Sequence, residues 1–323
     1  MRDSLTFDEV LHSLRKEGVC GGQVDPQAYH AMKPLLEEAL GVPVVSKSTL
    51  SEFSKGAYRF HWNKVNKVEK KSESMALGSL VDCLTLTPEL FDEQYLCEEK
   101  KVAVKKDGTP YANGQQDAEQ KARWEAAAAE GVTVISTEQR ARGEAIAAQA
   151  VRHLESRGLV LGETFTSQFA VWVYMTEVDG RELPCPVVVT GMFDILPHEG
   201  ADIDDLKTTS VEVDNFEKLR YTMEDFGYGE QGAMYVDLWN AYRPEAARTS
   251  FSFLFVGTSE PIMSRWVDMT PVALDIYREE YRRKLRQYAT AWKTRDWGEA
   301  ALESRVFLPS AREMKRIQKG GEV

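Results

Sequence analysis

One stretch, GMFDILPHEGADIDDLKTTS from Gly191 to Ser210, constrains this chain more than any other. It sets an aspartate inside an apolar run, turns, and continues as Asp-Leu-Lys-Thr-Thr. Side chains alternate along a strand, so Ile203, Asp205 and Lys207 face one way while Asp202, Asp204 and Leu206 face the other. The turn at PHEGA returns Asp194 beside this strand, so Asp194, Asp205 and Lys207 can meet on one surface. Two readings follow. One is a hairpin with a solvated tip. The other is a metal site, in which two carboxylates offer hard oxygens to Mg²⁺ and a lysine orients a water and balances phosphate charge.

The rest of the chain bounds the choice. With 323 residues, 43% of them hydrophobic, it can bury a large core. No window approaches the run of about 20 apolar residues that spans a bilayer. The first residues, MRDSLTFDEVLHSLRKEG, carry charges throughout and do not read as a signal peptide. Cys20, Cys83, Cys97 and Cys185 are scattered, with no Cys-x-x-Cys pair, which fits a reducing cytoplasm rather than a disulfide or zinc framework. The net charge of −11 argues mildly against a nucleic-acid binder. It does not exclude one, because a groove can concentrate positive potential and metal ions offset carboxylates.

Along the chain, residues 1–75 read as a helical, polar N-terminal portion of the same domain. Thr49 and Glu52 have capping-box spacing, which starts a helix there. Met75, Leu77, Leu80, Val81, Leu84 and Leu86 recur at helical spacing, with Asp82 beside that stripe. The segment near Lys105–Gln116 reads as a loop. AEQKARWEAAAAEG is a helix, VTVIS a strand, and TEQRARGEAIAAQAVRHLESRG a helix capped by Thr137. The pattern then changes to period two. Three strands are expected near Glu163–Thr176, Val187–Leu196 and Ala201–Thr208, the first two joined by a hairpin turn at Asp179-Gly180. Helix follows from Asn215, then the strand SFSFLFVGT and a long basic helix. Residues 76–310 form the expected core and 311–323 a flexible tail.

Asp, a turn, then Asp-x-Lys resembles the PD-(D/E)XK nuclease core. GSLVDCLTLTPELFDEQY resembles the Gly-x-x-x-His-x-x-x-Leu-x-Pro segment of phage and prophage exonucleases of the RecE (exodeoxyribonuclease VIII) type. Ser46, Ser48 and Leu50 match that family's Ser-x-Ser-x-Leu opening, and YGEQGAMYVDLW resembles its Gln-x-x-x-Tyr helix. The likeness runs from about Ser46 to Asp296. The fold it implies is α/β, a restriction-endonuclease-like core with a central mixed sheet flanked by helices and a helical N-terminal portion. By the same resemblance Asp194 and Asp205 are the central metal ligands, the Leu206 carbonyl completes the shell, and Lys207 holds the nucleophilic water. Gln231 and Tyr235 then line the DNA-side wall, as an alternative to a helix surface with a core tyrosine. Asp82 stands where the family has a ligating histidine. It reads as a replacement ligand or as the edge of a buried helix. Glu163 is an outer acidic group or a solvated strand edge.

Other candidates have plainer readings. Thr208, Thr209 and Ser210 can bond a phosphate or serve turn chemistry. Ser46, Ser48 and Arg59 can face DNA or serve capping and surface charge. Tyr58, Phe60, His61 and Trp62 read as packing rather than base stacking, His198 as an exposed turn residue, and the basic C-terminal helix as a solvated amphipathic face. The resemblance implies a Mg²⁺-dependent exonuclease, with Mn²⁺ substituting, that digests linear double-stranded DNA 5′→3′. It also implies a ring-like homo-oligomer and a single-strand annealing partner in a host cytoplasm. Alternatives on the same core are a single-strand or structure-specific endonuclease, a catalytically degenerate DNA- or partner-binding protein, and a hydrolase of small phosphate esters.

Overall fold

The computed structural model describes residues 4–68, 72–105, 109 and 116–299. In chain order it runs α1 (Phe7–Glu17), β1 (Val19–Gln23), α2 (Pro26–Leu40), β2 (Val44–Val45), α3 (Lys47–Ser54), α4 (Ala57–Val65) and α5 (Glu73–Leu86). After α6 (Phe91–Gln94) come β3 (Tyr95–Cys97), α7 (Ala118–Ala129), β4 (Thr133–Ile135) and α8 (Thr137–Glu155). The central strands are β5 (Phe165–Thr166), β6 (Phe169–Val178), β7 (Arg181–Phe193), β8 (Leu196–Pro197) and β9 (Asp202–Thr209). The chain continues through α9 (Phe216–Phe226), α10 (Tyr228–Tyr242), β10 (Ser250–Gly257), β11 (Ser264–Asp268) and α11 (Pro271–Thr294).

Among the described residues the two larger sheets are β1-β6-β7-β2 and β11-β10-β9. β9 and β10 run parallel, and β10 and β11 antiparallel. The result is the mixed α/β architecture expected of a PD-(D/E)XK nuclease. The Asp179-Gly180 turn between β6 and β7 has both φ angles positive (55° and 65°), the backbone a tight hairpin needs.

Several details depart from the sequence reading. The N-terminal portion is not all helix, because β1 pairs antiparallel with β6 and β2 parallel with β7. VCGGQ gives no period-two signal, yet its glycines are what admit it. A Cβ at Gly21 would fall 2.8 Å from the Tyr242 ring, and one at Gly22 2.6 Å from Leu5. Nor do the three expected strands stay in one sheet, as the turns between them lead one to expect. β9 leaves the β6–β7 sheet, keeping only an antiparallel bridge between Ile195 and Asp204, and pairs with β10 instead. Glu163 lies in the turn before β5 and does not begin a strand. The cap of α3 is Ser46, reciprocated by Thr49, rather than Thr49 with Glu52. That of α8 is Ser136 rather than Thr137. The proposed tail at 311–323 lies outside the described residues, as does most of the loop at Lys105–Gln116.

The alternation on β9 partitions two cores. Ile203 packs with Phe251, Phe253 and Phe255 of β10 and with α10 and α11. Leu206 packs with Leu254, Val256 and the apolar faces of α5 and α8. Asp205 and Lys207 pair in register with Phe253 and Phe255, so the two charged residues emerge from an aromatic floor. At roughly 1.5–3 kcal/mol for each large side chain buried, this floor fixes where their backbone sits.

Candidate active site

Asp205 is the best buried of the charged side chains on β9, at 1% exposure. Its carboxylate is ion-paired to Lys207 and accepts a 2.6 Å hydrogen bond from Gln231 Nε2. β9 is an edge strand of its sheet, and Asp194 follows β7 against that edge. The Leu206 N–H donates to Asp194 Oδ2 at 3.3 Å. Lys207 Nζ lies 3.9 Å from the same oxygen and donates to the Leu206 carbonyl at 3.3 Å. One lysine thus bridges two aspartates and the backbone carbonyl between them.

Asp82 reaches the same centre from α5. Gly78 is one helical turn earlier on the same face. A Cβ there would lie 3.2 Å from Thr208 Oγ1. The missing side chain lets α5 lie close to β9, and Asp82 follows into the field of Lys207 and Asp205. Burial pushes the Asp82 carboxyl up to about 7, with Lys207 opposing and Asp205 adding to the rise. Burial, and then Asp205, raise Asp194 well above the usual carboxylate range. Burial works against the Lys207 ammonium, yet Asp205 and Asp194 hold its pKa above the ordinary lysine value. Three carboxylates thus crowd Lys207, and burial together with their mutual repulsion favours the neutral forms of Asp82 and Asp194.

Among the described residues no group of three or more His, Cys, Asp or Glu side chains forms a ready-made metal cage. Mg²⁺ does not require one, since it binds through one or two carboxylates and keeps its waters. Asp194, Asp205 and the Leu206 carbonyl offer hard oxygens of the right kind, with Asp82 beside them. The residues present fit a hard divalent ion.

Gln231 and Tyr235 separate in role. Gln231 holds Asp205. Tyr235 is a packing residue, with its ring 5.1 Å from Phe193 and 6.0 Å from Phe251. It lies where a Cβ on Gly191 would be 2.6 Å from it. Glu163 is exposed and is absent from the charges acting on Asp82, Asp194 and Lys207. His198 is an exposed turn residue with Nε2 3.0 Å from Thr166 Oγ1. Ser46 is buried in its cap, 2.9 Å from Ser48 Oγ. Thr209 Oγ1 accepts from Val211 N at 3.1 Å, which is turn chemistry.

Two neighbours escaped the sequence reading. Lys47, at the start of α3, donates to the Phe226 carbonyl and lies 5.2 Å from the Tyr228 ring centre. Lys207 lies 5.5 Å from the same ring. Burial, and then Lys207, push the Lys47 amine down to about 8. Nothing local in sequence marks Lys47, because helix packing brings it there across some 160 residues. Only its place inside Ser-x-Ser-x-Leu pointed to the segment.

No curated protein matches this chain. Among solved structures, it is similar to a "putative exonuclease" from Eubacterium rectale at 16% identity, covering 93% of this chain and 99% of that one, with a TM-score of 0.48. It is also similar to Candida albicans Rai1, solved in complex with pU5-Mn²⁺, at 11% identity, covering 85% of this chain and 69% of that one, with a TM-score of 0.27. Residues 44–306 match the sequence model of the PD-(D/E)XK nuclease superfamily, a span that contains every residue of the site from Lys47 to Tyr235. The chain belongs to the PD-(D/E)XK nuclease superfamily.

Proposed function

We propose that this nuclease is a divalent-metal-dependent exodeoxyribonuclease of the RecE type, hydrolysing linear double-stranded DNA from an end. The observation that carries the reading is the convergence of Asp194, Asp205 and Lys207 with carboxylates in excess of cations. Asp194, Asp205 and the Leu206 carbonyl would hold Mg²⁺, or Mn²⁺ in its place, and Asp82 would stand in for the family histidine. The ion, when bound, polarises a phosphoryl oxygen and acidifies water. Lys207 is positively charged throughout the neutral range, so it donates to the incoming water and to a phosphate oxygen rather than accepting a proton. Gln231 keeps Asp205 aimed at the site. Lys47 supplies a second cation across the Tyr228 ring for the substrate phosphate, and Thr208 a hydroxyl beside it.

The 5′→3′ direction, an annealing partner that takes up the product strand, and a ring-like homo-oligomer rest on the RecE resemblance. Four free cysteines suit a reducing host cytoplasm. No described helix is long and apolar enough to cross a membrane.

The test is topological. Linear duplex and covalently closed circle of one sequence are incubated in Mg²⁺. Loss of the linear form with the circle intact supports an end-dependent enzyme. Nicking or linearisation of the circle replaces that reading with an endonuclease on the same core.

A further inference from the structure

The aromatic run of α4 divides in two. Phe60 and His61 turn inward. Phe60 packs edge-on against Phe53 and Tyr288, and the His61 ring stacks on Trp297 at 4.6 Å. Tyr58, Trp62 and Val65 recur at i, i+4 and i+7 and so share one face, which is turned to solvent. They are 43%, 51% and 64% exposed. Neither Tyr58 nor Trp62 has a ring partner among the described residues. Arg59 and Lys67, both exposed beside them, have no ion-pair partner there either. Residues 46–68 hold five lysines and arginines against one glutamate, in a chain whose net charge is −11; Lys55 pairs with Glu52 and Lys64 with Glu37, which leaves Arg59 and Lys67 as the cations beside the rings. A wide apolar face left in water and rimmed by one sign of charge marks an interaction site.

We infer that the Tyr58–Trp62 face of α4, with Arg59 and Lys67, is a stacking platform for a single-stranded segment of nucleic acid. Flat rings accept bases of any sequence and the cations track the phosphates. The platform is joined to the site by α3, which begins at Lys47 and spans only about 12 Å. A symmetric dimer through this face would set two basic patches against each other, which disfavours a second copy as the occupant. The inference deepens the nuclease reading and rests on it for the choice of polymer.

The test is binding without cleavage. Anisotropy of a labelled oligothymidylate, and of an abasic oligomer of equal length, is measured in EDTA. Wild type should prefer the base-bearing oligomer. Trp62→Ala should lose about tenfold in affinity and most of that preference, while Trp62→Phe keeps both. Arg59→Gln should lower the slope of log affinity against log salt by about 0.7, one single-strand phosphate. Unchanged affinity in Trp62→Ala overturns the platform. So does a changed sedimentation coefficient in Trp62→Ala with affinity intact, which would make the face a contact between copies. Because no hydrolysis is read, the platform can fall while Mg²⁺-dependent duplex cleavage by the same preparation stands, and the reverse.

Discussion

Asp205 and Asp237 are both withdrawn from solvent beside α10, and they live in opposite electrostatic worlds. Asp237 accepts from Arg278 Nε at 2.8 Å and from Arg282 Nη2 and the Tyr281 hydroxyl at 2.5 Å. Two guanidiniums and a phenol surround one carboxylate, and α10 is clasped to α11. Around Asp205 the count reverses, with three carboxylates, Asp82, Asp194 and Asp205, set against Lys207 and, across the Tyr228 ring, Lys47. A buried charge that its own chain satisfies is scaffold. A buried cluster with more carboxylates than cations is costly to folding, and the metal proposed for this site would relieve that cost.

The largest expected contrast is in activity. Asp205→Asn should lower duplex cleavage by at least about a hundredfold, while its melting temperature in EDTA stays level or rises, because the crowding is relieved. Asp237→Asn should do the opposite. Breaking a buried pair costs about 3–5 kcal/mol, and the value here should sit at or below the lower end, since Arg278 and Arg282 remain 22% and 27% exposed. Cleavage per folded molecule should change little. Chemical denaturation beside a cleavage assay reads both, and parallel losses in the two variants would erase the distinction.

The next effect is on metal linkage. A carboxyl whose folded-state pKa is raised favours folding when protonated. Asp82, raised from 3.8 to about 7, therefore contributes stability at low pH that is lost as pH climbs through that window. In EDTA, wild type should lose stability between about pH 4 and 7 more steeply than Asp82→Asn. Mg²⁺ should recover stability chiefly at the upper end, by about 2.7 kcal/mol at a hundred times its dissociation constant. A Mg²⁺ effect that is equal at pH 5 and pH 8 would contradict the exchange of protons for metal.

The smallest effect concerns how the surplus is assembled. Gly78→Ala places a methyl 3.2 Å from Thr208 Oγ1 and should ease α5 away from β9. Relief of the glycine's helix cost, about 1 kcal/mol, offsets the close contact, so stability should change little, while cleavage should fall more than in Ser74→Ala, at an exposed position whose Oγ meets Ser72 Oγ at 3.0 Å. Equal behaviour of the two variants would remove Asp82 from the centre.

How much of this was legible depends on the range of the contacts. The Asp194–Asp205–Lys207 cluster could be read because strand alternation and one short turn are local rules. The parallel pairing of β9 with β10 joins residues 48 apart over the Phe251–Phe253–Phe255 floor, and no short window holds it. β1 was missed because glycines chosen for close approach to Tyr242 and Leu5 carry no strand signature. Asp82 was found by resemblance, and its physical cause, the gap at Gly78, is visible only once α5 lies on β9. The aromatic run at Tyr58–Trp62 looks uniform in sequence, and the packing of Phe53, Tyr288 and Trp297 tells its inner residues from its outer ones.

The most direct measurement of the central claim uses a linear duplex labelled at one 5′ end, with wild type and Lys207→Ala, in Mg²⁺ and in EDTA. Release of label by wild type in Mg²⁺, abolished by EDTA and by the substitution in a folded variant, is the predicted result. Cleavage that persists in Lys207→Ala, or that is absent from well-folded wild type with every divalent metal, would contradict the account and leave the Asp205 centre an inherited scaffold.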